Sequence, residues 1–120
     1  MTYKRTVNPR FFFNDQLAEL EEQYQAPIRL AYIGLWCHCD REGRFHWRPK
    51  RLKAEILPYD NTDFSIILEA LAKASFIEKY TVDGIDYGFI PSFLEHQSIS
   101  KREKESQIPP KPEAEESQPR

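Results

Sequence analysis

Cys37, His38 and Cys39, with His46 a little further on, are the residues whose types most directly offer chemistry, because thiolate and imidazole ligands suit zinc. Their spacing works against a site. Successive helical residues turn by about 100°, so a C-x-C pair within a helix sets its two thiols about 200° apart. The chain has no further cysteine to complete a ligand set. The pair therefore reads as core cysteines beside Trp36. His96, next to Gln97, reads as a structural hydrogen-bonding residue and not as a base. There is no Gly-rich phosphate loop, no nucleophile elbow and no acidic cluster spaced for two metals. The expectation is a protein without enzymatic activity, metal or cofactor.

The remaining chemistry is electrostatic. Between residues 41 and 53, Arg41, Arg44, Arg48, Lys50, Arg51 and Lys53 stand against Glu42 alone. Between residues 54 and 76, Glu55, Asp60, Asp63 and Glu69 stand against Lys73. A basic band thus adjoins an acidic one, and only the first suits a phosphate backbone. The net charge of −2 argues against a wholly basic nucleic-acid coat. Trp47 and Tyr59 flank the short basic helix expected from Pro49, and aromatics beside Arg and Lys can stack on exposed bases. The plainer reading makes both of them core anchors of the helix ends, with single-strand binding as a minor variant.

The elements that must position these residues follow from periodicity. Pro49 opens a short basic helix at a position where a missing N–H costs nothing, and Pro58 stops it. Leu52 and Ile56 are its apolar side. After a tight turn, Asn61 is a candidate N-cap for a second helix with Asp63 in its first turn. Phe64, Ile67, Leu68 and Leu71 give that helix its inward stripe, and Thr62, Ser65, Ile66, Glu69 and Lys73 its outward face. Beyond Phe76 the period changes to two. Asp83-Gly84 is a type I′ hairpin signal that pairs Val82 with Ile85 and Tyr80 with Tyr87, leaving Ile77 and Ile90 on the other face. Upstream, Pro27 starts the main core helix, whose stripe is Ile28, Ala31, Tyr32, Leu35, Trp36 and Cys39. Gly34 sits inside it, at about 1 kcal/mol against Ala, as though a neighbour packs close there. Arg44-Phe45-His46-Trp47 alternates like a short strand. The expected elements are helices near 27–39, 49–57 and 62–75 and a hairpin near 77–90. That order is α+β, a winged helix-turn-helix with a three-helix core and a small antiparallel sheet.

At 120 residues the chain allows one domain. Residues 1–10 read as a basic arm and 11–100 as the winged-helix domain. Residues 101–120, charged and with four prolines, read as a disordered or extended tail. Phe11, Phe12 and Phe13 mark where the arm joins the core. Asn14 can cap a short helix from Asp15 to about Glu22, with Leu17 and Leu20 inward and Glu19, Glu21 and Glu22 forming a solvated acidic face. No apolar run suits a signal peptide or a membrane span, and the cysteine usage suits a reducing, cytoplasmic compartment.

Gly34-Leu35-Trp36, Asp40-Arg41-Glu42-Gly43-Arg44-Phe45, Trp47 through Ile56 and Pro58-Tyr59-Asp60 form a pattern. It continues in Tyr87-Gly88-Phe89-Ile90-Pro91, His96-Gln97 and Lys101-Arg102-Glu103. Over roughly Asn8 to Pro110 the chain resembles the amino-terminal winged-helix domain of phage replication-initiation or replisome-organiser proteins. The resemblance implies a bacteriophage or prophage protein that binds double-stranded DNA and helps recruit replication proteins. The expected phosphate contacts are Arg44, Arg48, Lys50, Arg51 and Lys53. The groove-facing residues are Thr62, Ser65, Glu69 and Lys73, of which Ser and Thr can contact bases and Glu can accept from cytosine N4, with no guanine-reading Arg among them. The rival is a winged-helix protein-interaction module, an adaptor whose acidic helix, acidic wing and Pro-rich tail dock replication partners without binding DNA. The zinc question has a direct check. Zinc added to the reduced protein should leave its melting temperature unchanged, because a structural site would contribute several kcal/mol on filling.

Overall fold

The computed structural model describes residues 2–112. A 3-10 turn, Pro9–Phe13, leads into helix α1 (Asp15–Tyr24) and the core helix α2 (Ile28–His38). Strand β1 (Arg44–His46), helix α3 (Pro49–Ile56) and helix α4 (Phe64–Lys73) follow. The hairpin of β2 (Glu78–Val82) and β3 (Ile85–Phe89) comes next, and then a single turn, α5 (Phe93–His96). The strands form one antiparallel sheet in the order β1-β3-β2, so the described chain is α+β.

Helix α2 is the pillar its composition implies. Ile28, Ala31, Tyr32, Leu35 and Trp36 are all buried, and so is Cys39 just beyond its end. The neighbour of Gly34 is α3. A Cβ on Gly34 would lie 2.3 Å from Cγ2 of Ile56, so the missing side chain lets the two helices close on one another. Pro27 precedes α2 without offering it a side-chain cap. Glu21 of α1 supplies one from outside: its carboxylate accepts the Arg29 backbone N–H at 2.8 Å and Arg29 Nε at 3.0 Å. This corrects the solvated acidic face, because Glu21 is half-buried and ties α1 to the positive end of α2.

Phe64, Ile67, Leu68 and Leu71 of α4 are buried, as their spacing requires. Its cap is Asp63 and not Asn61, since Asp63 Oδ1 accepts the Ser65 N–H at 2.9 Å. The tight turn expected before it is a longer connection, residues 57–63. Leu57 anchors that connection in the core, while Tyr59, expected there, is 98% exposed just beyond Pro58. At the hairpin tip Asp83 and Gly84 take φ of +53° and +79°, as a type I′ turn demands of both central residues. The register is Tyr80 opposite Tyr87 and Val82 opposite Ile85. Ile77 and Ile90, on the other side, lie in the main core.

The two ends depart most from expectation. Residues 2–10 are not a loose arm. The Tyr3 N–H donates to the Cys37 carbonyl at 3.0 Å, and the Arg5 side chain is 2% exposed. Arg5 donates to the carbonyls of Trp36 and Cys39, both at 3.0 Å, at the carboxy-terminal end of α2, where the Trp36 carbonyl also accepts the Cys39 N–H at 3.3 Å. It also forks onto Glu103 at 2.6 and 3.2 Å, and its guanidinium lies 5.0 Å from the ring centres of Tyr3 and Phe93. Residues 101–112 have no helix or strand, but Glu103 and Ile108 are buried, so this part of the tail belongs to the domain. Composition alone suggested otherwise because the buried groups are one ion pair and one aliphatic side chain within a charged, proline-rich stretch. The remaining tail residues, 113–120, lie outside the described range. Of the three phenylalanines only Phe11 joins the core, edge-on to Trp36 at 5.5 Å, while Phe12 and Phe13 are exposed. The side chain that fastens α5 to the arm is Gln97, bonded to Thr6, and His96 contributes only its carbonyl.

Removing one partner of a buried ion pair leaves an uncompensated charge, whereas removing both does not. Arg5→Ala should therefore lower stability in urea unfolding by about 3–5 kcal/mol, and Arg5→Met/Glu103→Leu by much less.

Candidate nucleic-acid interface

The sequence leaves open whether the basic band and the outward face of α4 share a surface, and the fold divides the band to answer it. Pro49 begins α3 beside the N-terminal end of α4, so Lys50 and Lys53 line one open groove with Thr62, Asp63 and Ser65. The groove encloses about 630 Å³. Further along α4 a second groove, of about 400 Å³, is lined by Ile66, Glu69 and Lys73 together with Tyr24, Trp47 and Lys79. The exposed side of α4 therefore runs from Lys50 and Lys53 at one end, past Ser65, Ile66 and Glu69, to Lys73 and Lys79 at the other. Cations flank a stretch that is mostly neutral and apolar, with Asp63 and Glu69 as its two acids.

Lys79 is the residue that sequence reasoning passed over. It lies opposite Gly88 in the ladder, one step from Tyr80, so strand alternation aims it to the face away from the tyrosines. There its ammonium sits 5.1 Å from the Trp47 ring centre and 3.8 Å from Asp86. Trp47 is half-buried and stacks on Phe45, so it anchors the start of α3 and still forms part of a groove wall. The hairpin register contains the signal that would have found Lys79.

Three expected phosphate contacts lie elsewhere. Arg44 turns to the carboxy-terminal segment, donating to the Ser106 hydroxyl at 3.2 Å and to the Ile108 carbonyl at 3.0 Å. It starts β1, where alternation sends its side chain to the outer face of the sheet. Arg48 and Arg51 line a separate cleft with His38, His46 and Glu55. Arg51 pairs with Glu55 one helical turn away at 3.3 Å. A helix presents residues three or four apart on one side, so Lys50 and Lys53 part company with Arg48 and Arg51.

In that cleft His38 Nδ1 lies 3.3 Å from Glu55. Burial nevertheless lowers the His38 pKa, outweighing the pull of Glu55 upward. His46, more open to solvent, is lowered in the same direction by burial and by Arg48. Cys39 is fully buried, and burial pushes its thiol well up, which keeps it protonated and unreactive. Among the described residues no three of His, Cys, Asp and Glu converge as metal ligands. No helix among them is long and apolar enough to cross a membrane.

Comparison of this chain with protein-family models, with curated proteins and with solved structures found no match.

A histidine whose folded pKa lies below its unfolded value binds its proton more readily in the unfolded chain. Stability from His38 is thus fully present above the ordinary histidine range, near pH 6.5, and is lost as pH falls through it. Thermal melts between pH 7.5 and 5.5 should show a falling midpoint. The fall should be shallower in His38→Gln, with a residual slope from His46.

Proposed function

We propose that this domain is a winged helix-turn-helix that binds duplex DNA without catalysing a reaction. In this reading α4 lies in the major groove and β2–β3 is the wing. One observation carries the reading: the exposed side of α4 has lysines at both ends, with polar and apolar side chains and the two acids Asp63 and Glu69 between them. From Ser65 to Lys73 the helix rises about 12 Å at 1.5 Å per residue. The major groove is about 12 Å wide. A helix seated there places Lys50 and Lys53 toward one phosphate backbone and Lys73 and Lys79 toward the other. Thr62, Ser65 and Glu69 then face base edges. The resemblance to the amino-terminal domain of phage replication-initiation and replisome-organiser proteins adds a setting, the start of phage or prophage replication in a bacterial cytoplasm.

A second reading has its own support. The wing tip carries Asp83 and Asp86, with Ile85 exposed, and Lys79 is partly engaged by Asp86. An acidic, apolar tip suits a protein partner better than a phosphate backbone, as an adaptor for replication proteins requires.

Titration of duplex DNA at two salt concentrations separates the two. In Lys50→Gln/Lys53→Gln, affinity should fall about equally for all sequences. The slope of log K against log salt should flatten by about 0.9 for each phosphate that is no longer neutralised. Arg48→Gln/Arg51→Gln should leave that slope unchanged. Thr62→Ala or Glu69→Ala should cost about 1–3 kcal/mol on a preferred site and little on random duplex. Native protein with no salt-dependent binding to any duplex would leave the adaptor reading in its place.

A further inference from the structure

The face of the sheet turned away from α4 is covered, and the way it is covered is specific. Tyr80 of β2 and Tyr87 of β3 stand opposite each other, with ring centres 5.6 Å apart, and Ile108 is buried against both. The Tyr80 hydroxyl donates to the Pro109 carbonyl at 2.7 Å, and Lys111 Nζ lies 2.9 Å from Glu78 Oε1. At the other end of the segment Arg44 donates to the Ser106 hydroxyl and the Ile108 carbonyl, and Ser106 in turn donates to Asp40. The segment from 106 to 111 is thus held by side chains of the sheet and by Asp40. The sheet itself ends at three strands, so the segment is not held as a fourth.

Recognition of this form is transferable. An aromatic pair supplies an apolar seat, a tyrosine hydroxyl and an arginine read two successive carbonyls, and a carboxylate reads a cation. The prolines have no N–H to satisfy and are already restricted in φ, so such a segment loses little freedom when it docks. We propose that the outer face of the sheet is a docking surface for segments of the pattern aliphatic-Pro-Pro-Lys, and that residues 106–111 occupy it in cis. Its partner in trans is a polypeptide bearing the same pattern, which displaces the chain's own segment. Glu103 is held separately, by Arg5 and by Arg41, which donates to its carbonyl at 3.2 Å, so residues 106–111 can leave while the buried ion pair stays closed. Because Lys79 and Tyr80 point to opposite faces, such a partner would bind on the side away from the lysines that flank α4. Docking there does not depend on DNA binding.

The test uses the full chain and a labelled synthetic peptide covering residues 105–112, Glu-Ser-Gln-Ile-Pro-Pro-Lys-Pro. A segment tethered through so few residues has an effective concentration on the order of millimolar. Native protein should therefore bind the peptide weakly. Ile108→Asp, whose own segment cannot seat, should bind it at least ~10-fold more tightly for the same reason. Adding Tyr80→Phe to Ile108→Asp should weaken binding again, and a peptide with Asp in place of its isoleucine should not bind. Equal binding by native and Ile108→Asp proteins would overturn the proposal, as would no binding by a cooperatively folded Ile108→Asp protein. If Ile108→Asp does not fold, Ile108→Ala takes its place, and loss of folding in both would make the segment an inseparable part of the core and overturn the proposal.

Discussion

A charge pair excluded from water holds this structure at its two ends. Arg5 and Glu103 are both nearly inaccessible, and their fork-to-fork contact would be unfavourable if it stood alone. It does not stand alone. The other donors of Arg5 meet the carbonyls at the end of α2, where the helix dipole favours a cation, and two aromatic rings lie beside its guanidinium. The guanidinium thereby meets partners on several sides at once, which is what a planar five-donor group can do and an ammonium cannot. Arg5 covers the carboxy-terminal end of α2, and α2 is the helix against which α1, α3 and α4 pack.

The core was legible in the sequence because it obeys periodicity. The stripes of α2 and α4 and the pairing across Asp83-Gly84 are consequences of 3.6- and 2-residue repeats, and each fell where the repeat placed it. What the sequence concealed depends on contacts between distant residues. Nothing local distinguishes Glu21 from Glu19 or Glu22, yet Glu21 is the one that meets the open start of α2. Arg44 sits inside a basic run that invites a phosphate reading, and its partner Ile108 lies 64 residues away. Gly34 announced a close approach but not the element that makes it.

The candidate interface was half legible. The face of α4 was readable by helical spacing, Lys73 included, but three of its four flanking lysines come from two other elements. Lys50 and Lys53 arrive from α3 and Lys79 from β2, each oriented by a period that the charge count ignores. A band counted along the chain mixes four destinations: the groove beside α4, the cleft around His38, the outer face of the sheet and, for Arg41, the Glu103 carbonyl. Local charge in a sequence is therefore a weak guide to surface potential unless each residue is first assigned a direction.

The distance along the chain between Arg5 and Glu103 has a kinetic consequence. Closing a contact across 98 residues carries a high loop-closure cost, so the expectation is that it forms late in folding. Bonds that form after the transition state change the rate of unfolding and leave the rate of folding almost untouched. The clasp therefore governs how long the folded domain lasts more than how fast it forms. During synthesis the amino-terminal residues wait, with Arg5 lacking its carboxylate, until Glu103 has left the ribosome. Arg5, made well before Glu103, is thus fixed only when that later residue arrives.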